Sequence, residues 1–198
     1  SKIMRINSPQ MNIIYKACNK ASKSLIRDFG EIEKLQVSTK GPGDFVSTAD
    51  KKSEKIIIEE LLKAHPDYGI LSEESELLLP KNKLFPTVVV DPLDGSTNAS
   101  RGLPWFATSL CAVDEQGPWI AGVADLVNGD RYDAVRGWGA RKNGDAIERE
   151  MCPDLSDSLV VVSGLPEKDL GWDQFRNLGS AALALCSIAD GQVDAFVF

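Results

Sequence analysis

The stretch that most constrains this chain is Val88-Val-Val-Asp-Pro-Leu-Asp-Gly-Ser-Thr-Asn98. Three consecutive valines read as a buried strand covered on both faces, because β-branched side chains suit a pleated surface. The strand breaks at Asp91-Pro92, since proline has no N–H to give to a ladder. Beyond the break stand a second carboxylate (Asp94), a glycine that permits close backbone approach (Gly95), and the hydroxyls of Ser96 and Thr97. Two acids three apart at a strand end are costly to hold together unless a cation lies between them. Hard divalent ions such as Mg²⁺ take oxygen ligands of this kind. Free amides that follow a glycine can also cradle a phosphate. The stretch therefore reads as a metal-assisted phosphate site.

Composition narrows what such a site can serve. A net charge of −7 over 198 residues excludes a general nucleic-acid or membrane-surface binder, since neither partner attracts an acidic surface. It also makes phosphate binding difficult unless cations are bound locally. No segment approaches the roughly 20 uninterrupted apolar residues of a membrane span. The start, Ser1-Lys-Ile-Met-Arg5, lacks a signal-peptide core. The four cysteines (Cys18, Cys111, Cys152, Cys186) are scattered without a CxxC pair, which fits reduced thiols in a cytoplasmic protein.

In chain order, Ser8-Pro9 starts a helix with Ile14, Ala17, Cys18, Ala21, Leu25 and Phe29 on one face, stopping at Gly30. Thr39–Asp44 is a turn-rich loop whose Lys40 is a candidate for reaching an anion. Ser47-Thr-Ala-Asp50 opens a second helix, with Asp50 a cap, Ile57, Leu61 and Ala64 the buried stripe, and His65-Pro66 the end. His65, the only histidine, reads as solvated, which excludes phosphohistidine chemistry. Tyr68–Ser72 reads as a strand running into Glu73-Glu74, so Glu73 and Asp91 are expected side by side at one sheet edge. From Trp105 to Val135 the pattern is an antiparallel meander with a tight turn at Asn128-Gly129. Leu159–Ser163 and Gln192–Phe198 read as further strands. Gly179–Ala189 reads as a small-residue helix whose first amides can face a ligand.

The spacing also excludes several phosphatase designs. An aspartyl-phosphate enzyme needs Asp-x-Asp, whereas Asp91 and Asp94 are one residue further apart. The residues six after each cysteine are Ser24, Gly117, Ser158 and Gln192, not the arginine a cysteine phosphatase requires. An EF-hand fails because its twelfth position is Gly102. What remains is attack by a metal-activated water.

The block Asp91–Asn98, preceded by Leu71-Ser-Glu-Glu-Ser75, resembles the inositol monophosphatase family of Mg²⁺-dependent, lithium-sensitive phosphatases. Lys40–Asp50, Gly137-Trp-Gly-Ala140 with Asn143-Gly144, and Gly179–Leu183 resemble further family blocks in the same order. The resemblance implies a single α/β (α+β) domain over 1–198, an alternating layered α-β-α-β-α sandwich with mixed and antiparallel sheets, as a cytoplasmic homodimer. It implies that Glu73, Asp91, the Leu93 carbonyl and Asp94 bind two or three Mg²⁺ ions. Asp50, through Ser96, orients the attacking water, with Glu73 also catalytic. Glu73, Leu93, Asp94, Gly95 and Ser96 meet the phosphate side of the substrate, and Gly179, Ser180 and Ala181 the alcohol. The expected reaction is hydrolysis of inositol 1-phosphate or a related polyol phosphate. The runners-up are a 3′(2′),5′-bisphosphate nucleotidase, a fructose-1,6-bisphosphatase and a histidinol phosphatase. A non-enzyme alternative is a regulatory binding protein of the transcription machinery. Two departures stand out. A Trp-Asp-x-Ala metal-binding block of the family and part of the interval 166–179 are missing, so the chain is expected to lack C-terminal and internal loop residues. Phe198 also falls where inositol-specific members often carry glutamate.

Overall fold

The computed structural model describes residues 9–32, 42–150 and 154–198. Ser8, Lys40 and Cys152, singled out from the sequence, lie outside the described residues. The first helix, α1 (Pro9–Ile32), runs past Gly30. Its stripe of Ile14, Ala17, Cys18 and Ala21 packs with Ile57 and Leu61 of the second helix, α2 (Pro42–Ala64), onto one face of a large sheet. Each such aliphatic side chain, fully buried, contributes about 1.5–3 kcal/mol.

The start of α2 corrects one expectation. Asp50 is not an N-cap; the helix begins at Pro42 and carries Asp50 well inside it. The reason is tertiary. Val46 and Ala49 are buried against Leu25 of α1 and against Leu93 and Leu126, so packing extends the helix through residues with weak helix propensity. His65 is corrected too. Its ring stacks on Tyr68, with centroids 4.2 Å apart and planes at 9°, and Nε2 is buried rather than solvated.

The large sheet keeps sequence order. β1 (Gly69–Ser72) pairs parallel with β2 (Thr87–Asp94). The antiparallel meander β3 (Ala107–Asp114), β4 (Gly117–Asp125), β5 (Arg131–Val135), β6 (Gly139–Lys142) and β7 (Asp145–Ala146) follows. Val88 and Val90 face the helices and are buried, but Val89 is 41 % exposed. The triple valine is therefore covered on one face among the described residues, because α1 and α2 lie on the same side.

Between β2 and β3 lies a short helix, α3 (Ser96–Arg101). A second sheet contains β8 (Leu159–Val162) between β9 (Gln174–Arg176) and β10 (Ala195–Val197), all parallel. β9 is a strand that sequence patterning missed, since all three of its residues are exposed. α4 (Ala181–Ala189) touches β3 and β4 on one side and β10 on the other. The layers thus run helix pair, mixed sheet, helix, parallel sheet: an α+β fold in which no fifth helical layer occurs among the described residues. Among them no helix is long and apolar enough to cross a membrane.

Candidate active site

Parallel pairing of β1 with β2 ends at Ser72 opposite Val90, which sets Glu73 alongside Asp91. Ligands of open α/β sheets gather at the carboxyl ends of strands, and both strands end here. Asp91 pairs with Ser109, but the next pairing is Asp94 with Ala107, so a bulge takes up Pro92 and Leu93. Side-chain bonds fix that bulge. The buried Thr108 hydroxyl donates to the Pro92 carbonyl at 2.9 Å, and the Leu93 N–H donates to Asp91 Oδ1 at 3.1 Å. The Leu93 side chain is buried beneath the turn.

Asp94 faces the other way along the motif. Its Oδ2 accepts from the Ala182 N–H at 2.8 Å and from the Ser180 hydroxyl. Ser180 Oγ in turn accepts from the Leu183 N–H, capping α4. A carboxylate at a helix N-terminus is favoured by the macrodipole. This joins the Gly179–Ala181 segment to the central motif. Gly95 has φ +87°, and a Cβ there would lie 2.7 Å from the Trp105 carbonyl oxygen and 3.3 Å from that of Gly179. Only glycine fits such a turn without strain. Asn98 braces the same junction: its buried amide donates to the carbonyls of Trp105 at 2.7 Å and Leu178 at 2.8 Å. Sequence reading gave Asn98 no role, although it closes the motif.

Asp50 is 7 % exposed, and its buried Oδ1 has no hydrogen-bond partner among the described residues. Burial pushes its pKa up to about 7, and the charges of Glu74, Asp91, Glu73 and Glu54 add to the shift. Asp91 is likewise pushed up to about 7, by burial first, then by Asp94 and Glu73, with the Glu73 carboxyl within hydrogen-bonding reach. Acids from α2, the loop after β1 and the end of β2 therefore share one electrostatic environment. Beside them opens a cleft of about 240 Å³, lined by Ser47, Asp50, Glu74, Ser96, Thr97 and Ser100 together with Val46. A second hollow of about 260 Å³ is lined by Ser163, Asn177, Gly179, Ser180, Ala181 and Phe196, among others. The fold thus brings Asp50, Glu73, Asp91 and Asp94 into one neighbourhood, puts Gly95 and Ser96 at its rim, and holds Gly179–Ala181 on the far side of Asp94. Glu74 is the cleft-lining acid that sequence reading noticed but gave no role.

The chemistry of these donors suits a hard cation. They are carboxylate oxygens, one buried without a hydrogen-bond partner among the described residues, and two of the acids, Asp50 and Asp91, have pKa values raised first by burial and then by the charge of neighbouring acids. Among the described residues no three acidic, histidine or cysteine side chains close around one point as a finished cage. Mg²⁺ accepts such openness, since it keeps several waters and is commonly held by one or two carboxylates plus substrate phosphate. Cys18, Cys111 and Cys186 are free thiols away from this edge.

Comparison with known proteins adds the family. A model described as the inositol monophosphatase family matches residues 7–198. The inositol-1-monophosphatase of Rhizobium meliloti (strain 1021) is 40 % identical over 205 residues, covering 96 % of this chain and 76 % of the relative. The Nus factor SuhB of Pasteurella multocida (strain Pm70) is 36 % identical with the same coverage. Among solved structures, the extragenic suppressor protein suhB from Bartonella henselae superposes with a TM-score of 0.81 at 36 % identity, covering 96 % of this chain and 78 % of that one.

Proposed function

Because the chain belongs to the inositol monophosphatase family of phosphatases, we propose that it hydrolyses a small phosphate monoester in a Mg²⁺-dependent reaction, with inositol 1-phosphate or a related polyol phosphate as substrate. The observation that carries this reading is the convergence of Asp50, Glu73, Asp91 and Asp94 at one sheet edge, with Asp50 Oδ1 buried and unpartnered among the described residues. Glu73, Asp91, the Leu93 carbonyl and Asp94 would hold two or three Mg²⁺ ions. Such ions, when bound, neutralise phosphate charge and lower the pKa of a coordinated water.

The chain's own groups do the rest. Asp50, through the Ser96 hydroxyl, orients the attacking water, and Glu73 shares in this work. The backbone at Gly95 and Ser96 meets the phosphate oxygens. Gly179, Ser180 and Ala181 meet the alcohol, since Asp94 ties their segment to the motif. The 1–198 stretch works as one domain, in a cytoplasmic homodimer inhibited by Li⁺. A second reading, a regulatory role with the transcription machinery, is favoured by the relatives named Nus factor SuhB. Released phosphate from inositol 1-phosphate, a 3′(2′),5′-bisphosphate nucleotide, fructose 1,6-bisphosphate and histidinol phosphate separates these readings. Turnover of the first that requires Mg²⁺ and falls with Li⁺ is expected. No phosphate release from any of them would leave only the regulatory reading.

A further inference from the structure

The loop that carries Glu73 leaves the sheet at Ser72, and residues 73–76 are exposed. Its backbone tie just beyond Ser72, from the Glu73 N–H to the Val90 carbonyl, is long at 3.4 Å. Such a bond is at the weak end of hydrogen-bond geometry and adds little hold on the loop. A buried side chain supplies the missing hold. Glu54 stands one turn beyond Asp50 on α2, on the same helix face, and is 6 % exposed. Both of its oxygens are engaged. Oε2 accepts from the Ser72 hydroxyl at 2.9 Å, and Oε1 accepts from the Ser75 hydroxyl. These serines flank Glu73-Glu74 on either side. A buried carboxylate is costly unless its oxygens are bonded, and this one spends both bonds on a single loop.

We propose that Glu54 is a positioning residue. By clamping Ser72 and Ser75 to α2, it holds Glu73 beside Asp91 and at a fixed height relative to Asp50, without itself touching cation or substrate. The inference rests on the metal-site reading above and extends it to a residue whose hydrogen-bond partners among the described residues are Ser72 and Ser75. Groups that orient a ligand in this way commonly change metal affinity by about 10–100-fold when removed.

The test is Mn²⁺ binding to the purified protein, followed by the paramagnetic signal of the free ion, with the folded fraction monitored in parallel. Glu54→Ala should weaken binding by about tenfold or more, in line with other such supporting residues. Glu54→Gln keeps an acceptor for one serine and an amide for the other, and should bind nearly as the parent does. Ser75→Ala removes one of the two hydroxyls from a residue that is itself exposed, at less risk to folding, and should give an intermediate loss, so it decides the matter if Glu54→Ala does not fold. Parent-like binding in both Glu54→Ala and Ser75→Ala would overturn the clamp while leaving the phosphatase reading intact. So would an equal loss in Glu54→Gln and Glu54→Ala, since charge rather than geometry would then be the cause. If the parent protein binds no Mn²⁺, the metal site itself falls and the clamp with it.

Discussion

Asp50 is a carboxylate in a place that disfavours its charge. Its pKa and that of Asp91 are pushed up to about 7, burial being the first cause for both and neighbouring acids the second. The unfolded chain releases these protons near the ordinary aspartate value of about 3.9. Between the two values the folded metal-free protein binds protons that the unfolded chain does not. Stability must therefore fall as pH rises from about 4 to about 7 and level off above. The melting temperature in EDTA is expected to drop between pH 5 and pH 7.5, and Asp50→Asn should flatten that drop. A melting temperature independent of pH in this window would show that the acids do not interact as described. Asp50 is visible in the sequence, and only its local reading as a cap fails, since a capping residue and a buried helical acid look alike until the helix start is known. Glu54 and Asn98 were invisible for a plainer reason. Their partners lie 18 and 80 residues away, at Ser72 and Leu178, and nothing local marks a side chain whose bonds are that distant.

At the scale of elements, the site is made by a bulge, a turn and a helix start in succession. The bulge at Pro92-Leu93 separates Asp91 from Asp94, the turn at Gly95 changes the chain's direction, and α3 begins at Ser96. Gly95 is the tightest point. Gly95→Ala would impose a left-handed conformation costing about 1–3 kcal/mol and would press its methyl on the Trp105 carbonyl. Urea unfolding should show a loss of that order or larger, with loss of phosphate release in the fraction that folds. A stable and active variant would mean that the turn relaxes freely. Strand periodicity revealed β1, β2 and the meander, because one face of each is apolar. It revealed neither the early start of α2, which depends on Leu25, Leu93 and Leu126, nor β9, which buries nothing.

For the whole molecule, an acidic chain assembles its acids on purpose. A net charge of −7 already opposes compaction, and the fold concentrates part of that charge at one edge of the larger sheet. The layering follows from two helices with matched apolar stripes and from α4 lying between the sheets. That the valine triplet is covered on one face only among the described residues could not be read from the triplet itself, because burial on two faces and on one leaves the same residues. The convergence of carboxylates, by contrast, was foreseeable from two acid pairs at strand ends, with the pairing of β1 and β2 bringing them together.

The most direct measurement is phosphate released from inositol 1-phosphate by Asp91→Asn at saturating Mg²⁺, with circular dichroism reporting the fold. The substitution removes one ligand charge and leaves the side-chain shape, so the spectrum should match the parent while turnover falls by about 10²-fold or more, the scale of losing one electrostatic contact to the transition state. Parent-like, Mg²⁺-dependent turnover in that variant would contradict the proposal that these gathered acids hold the catalytic ions.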